Sequence, residues 1–242
     1  MLDFHGKRAL VSGASGGIGE AVARSLLLLG ASVIVTTTSR EPVWIRSHAN
    51  AQHFELDFRR PATVEKFLNG LEPSGSLDVL INNAGIHQPQ SINDITDDAW
   101  ESIMEVNLRG PMQLMRYFSV HMREQRRGRI VNVASIAGTV CKHNAGAYSS
   151  SKLGLVGLTR AVAIDLAPFG VLVNAVSPGT TETEMVRRIL SEDQRHSFIT
   201  GIPMGRFATA QEIANAVVFL ASDLNTYITG QNLIVDGGTV IA

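Results

Sequence analysis

The sequence predicts an α/β fold with a doubly wound parallel sheet of seven strands and helices on both faces. Three observations carry that expectation. Short β-branched runs alternate with longer helical stretches along the 242 residues. Most of those runs are continuously apolar, as in strands buried on both faces. The first ends in Val11 and runs straight into the glycine-rich segment Ser12-Gly13-Ala14-Ser15-Gly16-Gly17-Ile18-Gly19, where a helical pattern begins.

The expected strands lie at 8–11, 32–36, 53–56, 77–81, 130–133, 172–176 and 232–235. Apolar residues at helical spacing predict helices over 18–29, 97–124, 147–167 and 211–221. Gly30 reads as the stop of the first of these and Thr96 as the N-cap of the second. The stretch 179–209 contains no strand; it holds a short helix near 184–190 and reads as a mobile substrate lid. No linker divides the chain, so residues 1–242 are expected to form one domain.

Composition narrows the function. A net charge of -1 gives no electrostatic footprint for nucleic acid or an anionic membrane. No apolar run approaches the roughly 18 residues of a membrane span, and no secretory signal is visible, so a cytoplasmic location is expected. The single cysteine, Cys141, forms no intrachain disulfide, and with His143 alone beside it no metal site is expected.

The glycine loop sits where a strand-to-helix turn can receive a pyrophosphate. Glycines let the backbone approach the phosphates, and the helix N-terminus supplies N–H donors. The residues expected at that cofactor are Gly13, Ser15, Gly16, Gly17, Ile18 and Gly19. After the second expected strand come Thr36-Thr37-Thr38-Ser39-Arg40, with hydroxyls and a guanidinium but no carboxylate. That chemistry suits a 2′-phosphate, so NADP(H) is favoured, with NAD(H) the alternative. Asp57 either meets the adenine amino group or serves a helix N-terminus.

Tyr148 and Lys152 are four residues apart in a helical stretch and share one face. A phenol is a weak acid, of reference pKa about 10, and a nearby ammonium is expected to lower that value. Ser135, just past the strand at 130–133, can hold a substrate oxygen at the carboxyl edge of the sheet. Asn107 is expected to hold a water that links Lys152 to solvent.

With these residues the chain resembles the short-chain dehydrogenase/reductase family over nearly its whole length. The resemblance rests on the glycine loop, Asn82-Asn83-Ala84-Gly85, Asn107, Ser135, Tyr148, Lys152, Pro178-Gly179 with Thr183, and Asp236-Gly237-Gly238. It implies a single-domain Rossmann fold and a catalytic tetrad of Asn107, Ser135, Tyr148 and Lys152. It also places Asn83, Ala84 and Gly85 along the adenosine, and Pro178, Gly179, Thr181 and Thr183 at the nicotinamide and phosphates. Within the family the chain is most similar to the 3-oxoacyl acyl-carrier-protein reductases of fatty-acid synthesis, notably at 190–195, 211–217 and 227–230. That likeness implies NADPH, a 3-oxoacyl thioester linked to carrier protein or coenzyme A, and a homotetramer in which the helices at 97–124 and 147–167 pair between subunits. An alcohol dehydrogenase or ketoreductase for a sugar, steroid or secondary metabolite is the alternative.

Three positions depart from that branch. Gly16 replaces an arginine at the 2′-phosphate, Thr181 an aliphatic residue beside the nicotinamide, and Phe169 a basic residue that helps dock the carrier protein. Arg126, in the cluster Arg123, Arg126, Arg127 and Arg129, matches a second docking arginine. His87, Gln88, His143 and Asn144 are candidates for the substrate mouth, and Met185 for lid packing.

Overall fold

A computed structural model describes the chain apart from Met1, Ser39, residues 72–75, Lys142 and Leu190, and apart from the side chains of Met185 and Ile189. The lid-packing expectation for Met185 thus lies outside the described residues. Seven strands, β1 (Arg8–Ser12), β2 (Ser32–Thr37), β3 (Ala51–Glu55), β4 (Val79–Asn82), β5 (Gly128–Val133), β6 (Val171–Pro178) and β7 (Asn232–Val235), form one all-parallel sheet. Its order is β3-β2-β1-β4-β5-β6-β7. The chain winds outward in one direction from β1 to β3 and in the other from β4 to β7. The crevice between β1 and β4, at the carboxyl edge, is where ligands bind in such sheets.

Helices cover both faces, each with its own apolar core. On one face, Val22 and Leu26 of α1 (Gly17–Leu28) meet Ile213 and Val217 of α8 (Ala210–Ala221) over Val11, Val33 and Ile81. On the other, Phe67 of α2 (Pro61–Gly70), Phe118 of α4 (Gly110–Glu124) and Leu166 of α5 (Gly146–Leu166) pack over Leu10, Leu80 and Ile130. A buried amide ladder ties α5 to the sheet. Asn82 Nδ2 donates to Asn132 Oδ1 at 2.7 Å, and Asn132 Nδ2 donates to Thr159 Oγ1 at 2.9 Å.

The expected helix at 97–124 is not uniform. It runs as α3 (Asp97–Met104), a wider π turn at Glu105–Arg109, and then α4. Pro111 is the physical reason: it has no N–H to offer, and its ring would strike the Asn107 carbonyl in a regular helix. The π turn closes with Gly110 N–H donating to the Glu105 carbonyl. Gly110 is needed here because a Cβ would lie 2.6 Å from the Phe58 ring.

Thr96 caps α3, accepting from Ala99 N–H at 3.2 Å, and Gly30 ends α1 at φ +93°. The lid segment contains two helices, α6 (Glu184–Ile189) and α7 (Glu192–Thr200). α7 opens on a capping box in which Ser191 and Gln194 each bond the other's backbone N–H. Glu182 ties both lid helices down, pairing with Arg187 at 2.7 Å and Arg195 at 2.5 Å. Among the described residues no helix is long and apolar enough to cross a membrane.

Candidate active site

The glycine loop leaves β1 and turns through Gly13, at φ +67°, and Gly17, at φ +57°. Its tightness is steric as well as conformational. A Cβ on Gly13 would sit 2.6 Å from Ala84 Cα, and one on Gly19 would sit 2.4 Å from Asn83 Nδ2. Asn83 therefore braces the loop instead of facing outward, donating to the carbonyls of Ser12 at 3.0 Å and Gly13 at 2.9 Å. Ser12 Oγ accepts from the backbone N–H groups of Asn83 and Ala84, both at 3.1 Å.

α1 starts at Gly16 with no capping side chain, whereas Thr96, Ser191 and Thr209 cap α3, α7 and α8. Its first N–H groups are open to an anion. Thr183 closes the loop from the other side: its Cγ2 lies 3.1 Å from where a Cβ on Gly17 would be. Thr181 is buried and donates to the Gly179 carbonyl at 3.0 Å. Gly179 in turn lies so close to Asp236 that a Cβ would come within 2.7 Å of its Cα. The segments 13–19 and 178–183 thus form one cradle beside the β1–β4 crevice. Its backbone curvature and open N–H groups fit a dinucleotide pyrophosphate, with Pro178, Gly179, Thr181 and Thr183 at the lid side.

The far end of the cradle is more open. Ser15 and Ile18 flank the loop, and Thr38 and Arg40 are exposed beyond β2. Gly16 has extended backbone, and a Cβ there would meet nothing within 4 Å. The Asp57 carboxylate is already engaged. Arg59 donates to both its oxygens at 2.9 Å, and Arg60 Nε approaches at 3.2 Å. The Arg59 hydrogen bonds hold its pKa below the ordinary carboxylate value. Of the two readings for Asp57, the structure displays a carboxylate neutralised by its own loop ahead of α2.

Tyr148, Lys152, Ser135 and Asn107 converge at the catalytic end. Ser135 N-caps a short 3₁₀ turn just past β5, its Oγ accepting from Ala137 N–H at 3.1 Å, and its side chain draws the Tyr148 phenol pKa down against the larger raising effect of burial. Lys152 is buried, with Nζ donating to the Val133 carbonyl at 2.8 Å and lying 5.8 Å from the Tyr148 ring centroid. Gly85 is beside it: a Cβ on that residue would lie 3.4 Å from Lys152 Nζ and 3.5 Å from Asn107 Oδ1. Gly85 therefore lies beside Lys152 and Asn107.

One expectation needs correction. Lys152 does not lower the Tyr148 phenol in this structure. Part of that side chain's surface is open, but burial of the phenol raises its pKa, with the Ser135 hydrogen bond only partly opposing. The reason is that the ammonium is turned to the Val133 carbonyl, and its own burial brings it down to about 8. The Asn107 side chain is engaged at the Ile86 loop. Its Oδ1 accepts from Ile86 N–H at 2.8 Å, and its Nδ2 donates to the Ile86 carbonyl at 2.9 Å and Ser151 Oγ at 3.0 Å. The Asn107 carbonyl is different: Pro111 can give it no N–H.

Among the substrate-mouth candidates, His87 stacks on Tyr148 with ring centroids 4.3 Å apart. Gln88, Cys141, His143 and Asn144 are exposed. Among the described residues no cluster of three or more His, Cys, Asp or Glu could hold a metal ion.

A parallel sheet with a phosphate-sized cradle at its crevice and a Tyr–Lys–Ser constellation beside it defines an oxidoreductase that works with a nicotinamide dinucleotide. The chain belongs to the short-chain dehydrogenase/reductase family and acts between CH–OH and C=O groups using NAD(P). Residues 13–240 match the family model described as enoyl-(acyl carrier protein) reductase. The chain is 41% identical to 3-oxoacyl-[acyl-carrier-protein] reductase of Escherichia coli, over 98% of each chain. It is 35% identical to the corresponding reductase of Rickettsia felis over the full length of both. Among solved structures it is similar to an NAD(P)-dependent gluconate 5-dehydrogenase from Beutenbergia cavernae with bound NADP, at 33% identity, TM-score 0.94 and 99% coverage of both chains.

Proposed function

We propose that this enzyme reduces 3-oxoacyl thioesters to 3-hydroxyacyl thioesters with NADPH. The observation that carries the reading is the buried Lys152 ammonium 5.8 Å from the Tyr148 ring, with Ser135 acting on the same phenol, in a chain similar end to end to 3-oxoacyl reductases.

In this mechanism Ser135 and Tyr148 hold the keto oxygen, and the phenol gives it a proton. NADPH, when bound, supplies the hydride to the carbonyl carbon. Gly13, Ser15, Gly16, Gly17, Ile18 and Gly19 would hold its pyrophosphate. Thr38 and Arg40 would hold the 2′-phosphate, with Asp57, Asn83, Ala84 and Gly85 along the cleft. Lys152 would hold the nicotinamide ribose; on turning from the Val133 carbonyl toward Tyr148 its ammonium would stabilise the phenolate left behind. The replacing proton would arrive through Lys152 and a water held at Asn107, whose carbonyl gets no hydrogen bond from Pro111. The segment 179–209 is the substrate lid, tied by Glu182 and resting on the glycine loop through Thr183.

A carrier-protein substrate has support on the surface. Phe169 has no charge, but the Arg123 guanidinium lies 4.4 Å above its ring, so a cation is retained there. Arg126 is close by, donating to the Pro168 carbonyl at 2.9 Å. Self-association has support as well. α3, α4 and α5 border an open groove of about 610 Å³ lined by Leu108, Met112 and Leu158, and Leu153 and Ile164 on α5 are exposed. Pairing of these helices fits a homotetramer; light scattering of the purified enzyme tests it, and a monomer would overturn it. The substrate reading is tested by steady-state rates on an acetoacetyl thioester and a panel of free ketones, with NADPH and NADH in parallel. The thioester with NADPH is expected to give the highest kcat/KM; preference for a polyol ketone would overturn the reading.

A further inference from the structure

A fifth side chain lies against the reacting tyrosine. The His87 imidazole covers one face of the Tyr148 phenol, with centroids 4.3 Å apart and planes 29° from parallel. The chain that carries it is fixed on both sides. Before it, the Ile86 backbone is clamped at both its N–H and its carbonyl by the Asn107 amide. After it, Gln90 N–H donates to the Asn144 carbonyl at 2.9 Å, and Gln90 bridges Ala145 just ahead of α5. Asn107 Nδ2 also donates to Ser151 Oγ, which donates to the Tyr148 carbonyl at 2.7 Å. One buried amide thus supports both the backbone under Tyr148 and the ring lying on it.

We propose that His87 is a positioning residue for Tyr148, and that its neutral imidazole fixes the phenol by stacking on it. His87 Nε2 is buried and has no hydrogen-bond partner. A proton added there would have no acceptor, which makes the neutral ring the one that fits. Burial alone moves the His87 pKa, and it moves it down. The titratable group it touches is Tyr148 of α5, with Lys152 5.8 Å from that ring and turned to the Val133 carbonyl, while Asn107 and Ser135 nearby are uncharged. Cys141 and His143, in the loop leading to α5, are exposed. Protonation of His87 at acid pH therefore loosens the stack and costs the enzyme its aligned donor.

The inference rests on Tyr148 being the proton donor, and the test separates the two. His87→Phe keeps a ring on the phenol and cannot titrate; His87→Ala removes both. Rates with NADPH and an acetoacetyl thioester, or the best ketone of the panel, are measured from about pH 5 to about pH 9, a range spanning the histidine titration. His87→Ala is expected to lose about tenfold in kcat with little change in the KM for NADPH, the size a misaligned donor produces. His87→Phe is expected to recover most of that loss and to lack the acid limb of the wild-type profile. The phenol titration of Tyr148, read by ultraviolet difference against Tyr148→Phe, should move down in His87→Ala and hold in His87→Phe. Wild-type kcat in His87→Ala, no recovery in His87→Phe, or an acid limb that persists in His87→Phe would each overturn the proposal. Turnover surviving in Tyr148→Phe would instead overturn the donor assignment, and the phenol titration would still decide what His87 does to the ring.

Discussion

At the catalytic end of the cleft, Asn107, Ser151 and Lys152 are buried, and their hydrogen bonds run to one another's neighbours or to strand backbone. At the end beyond β2, where the adenosine is proposed to lie, Thr38 and Arg40 are exposed, Gly16 borders open space, and Asp57 is occupied by Arg59 and Arg60. The first end is held by bonds that solvent does not reach, where each lost partner leaves a costly orphan. The second is held by surface charges, which contribute little individually and yield to salt. The chemistry is therefore expected to be brittle to substitution and the choice of cofactor pliable.

Substitutions can break that contrast. The largest effect is expected from Tyr148→Phe: loss of about 10³ in kcat, within the range for a general acid, with NADPH affinity nearly unchanged by fluorescence titration. Retained turnover would remove Tyr148 from the mechanism. Asn107→Ala comes next, because it orphans Ile86 N–H and Ser151 Oγ. It should destabilise the protein by about 2–4 kcal/mol in urea titrations and reduce kcat even where folded.

Lys152→Met separates stability from function. The buried ammonium has a carbonyl partner but no counter-ion, so its removal should raise the melting temperature of the cofactor-free enzyme by a few degrees at pH 7, about 1–2 kcal/mol, while turnover falls steeply. The sign of the pH dependence follows from the lysine value of about 8, below the unfolded value of 10.5. Between those two the unfolded chain binds more protons, so wild-type stability from this residue rises with pH across that window. The lead of Lys152→Met should shrink over the same range; a constant lead would mean that the ammonium is not destabilising.

The smallest effect belongs to the open end. Gly16→Arg meets no steric obstacle and places a cation by the 2′-phosphate site, so the NADPH-to-NADH ratio of kcat/KM should rise by about tenfold, the worth of one charge-assisted hydrogen bond. A ratio that does not move would place the adenosine elsewhere.

The strands were legible because a strand buried on both faces writes itself as an apolar run, and all seven expected strands are present, with ends shifted by a few residues. α2 and α7 were not legible from periodicity. α2 buries only Val64 and Phe67, and α7 buries nothing among the described residues, so neither has a continuous apolar stripe. The signal for α7 was its cap, Ser191 with Gln194 three residues on. Pro111 was the signal for the π turn that the expectation of one helix over 97–124 passed over, since a proline inside a helical pattern demands a local remedy. What no local pattern could disclose was the stack of His87 on Tyr148, or the turning of Lys152 to Val133. Both depend on which loops the sheet order brings together.

The π turn at Glu105–Arg109 has a consequence for how this site can be altered. Such a turn holds more residues than the α turn it replaces, so what distinguishes it is chain length as much as side-chain identity. It absorbs an extra residue while the helix on either side keeps its facing. Asn107 at the Ile86 loop and Leu108 at the outer groove are neighbours within it, so a change in its length would act on the inner cleft and the outer face together.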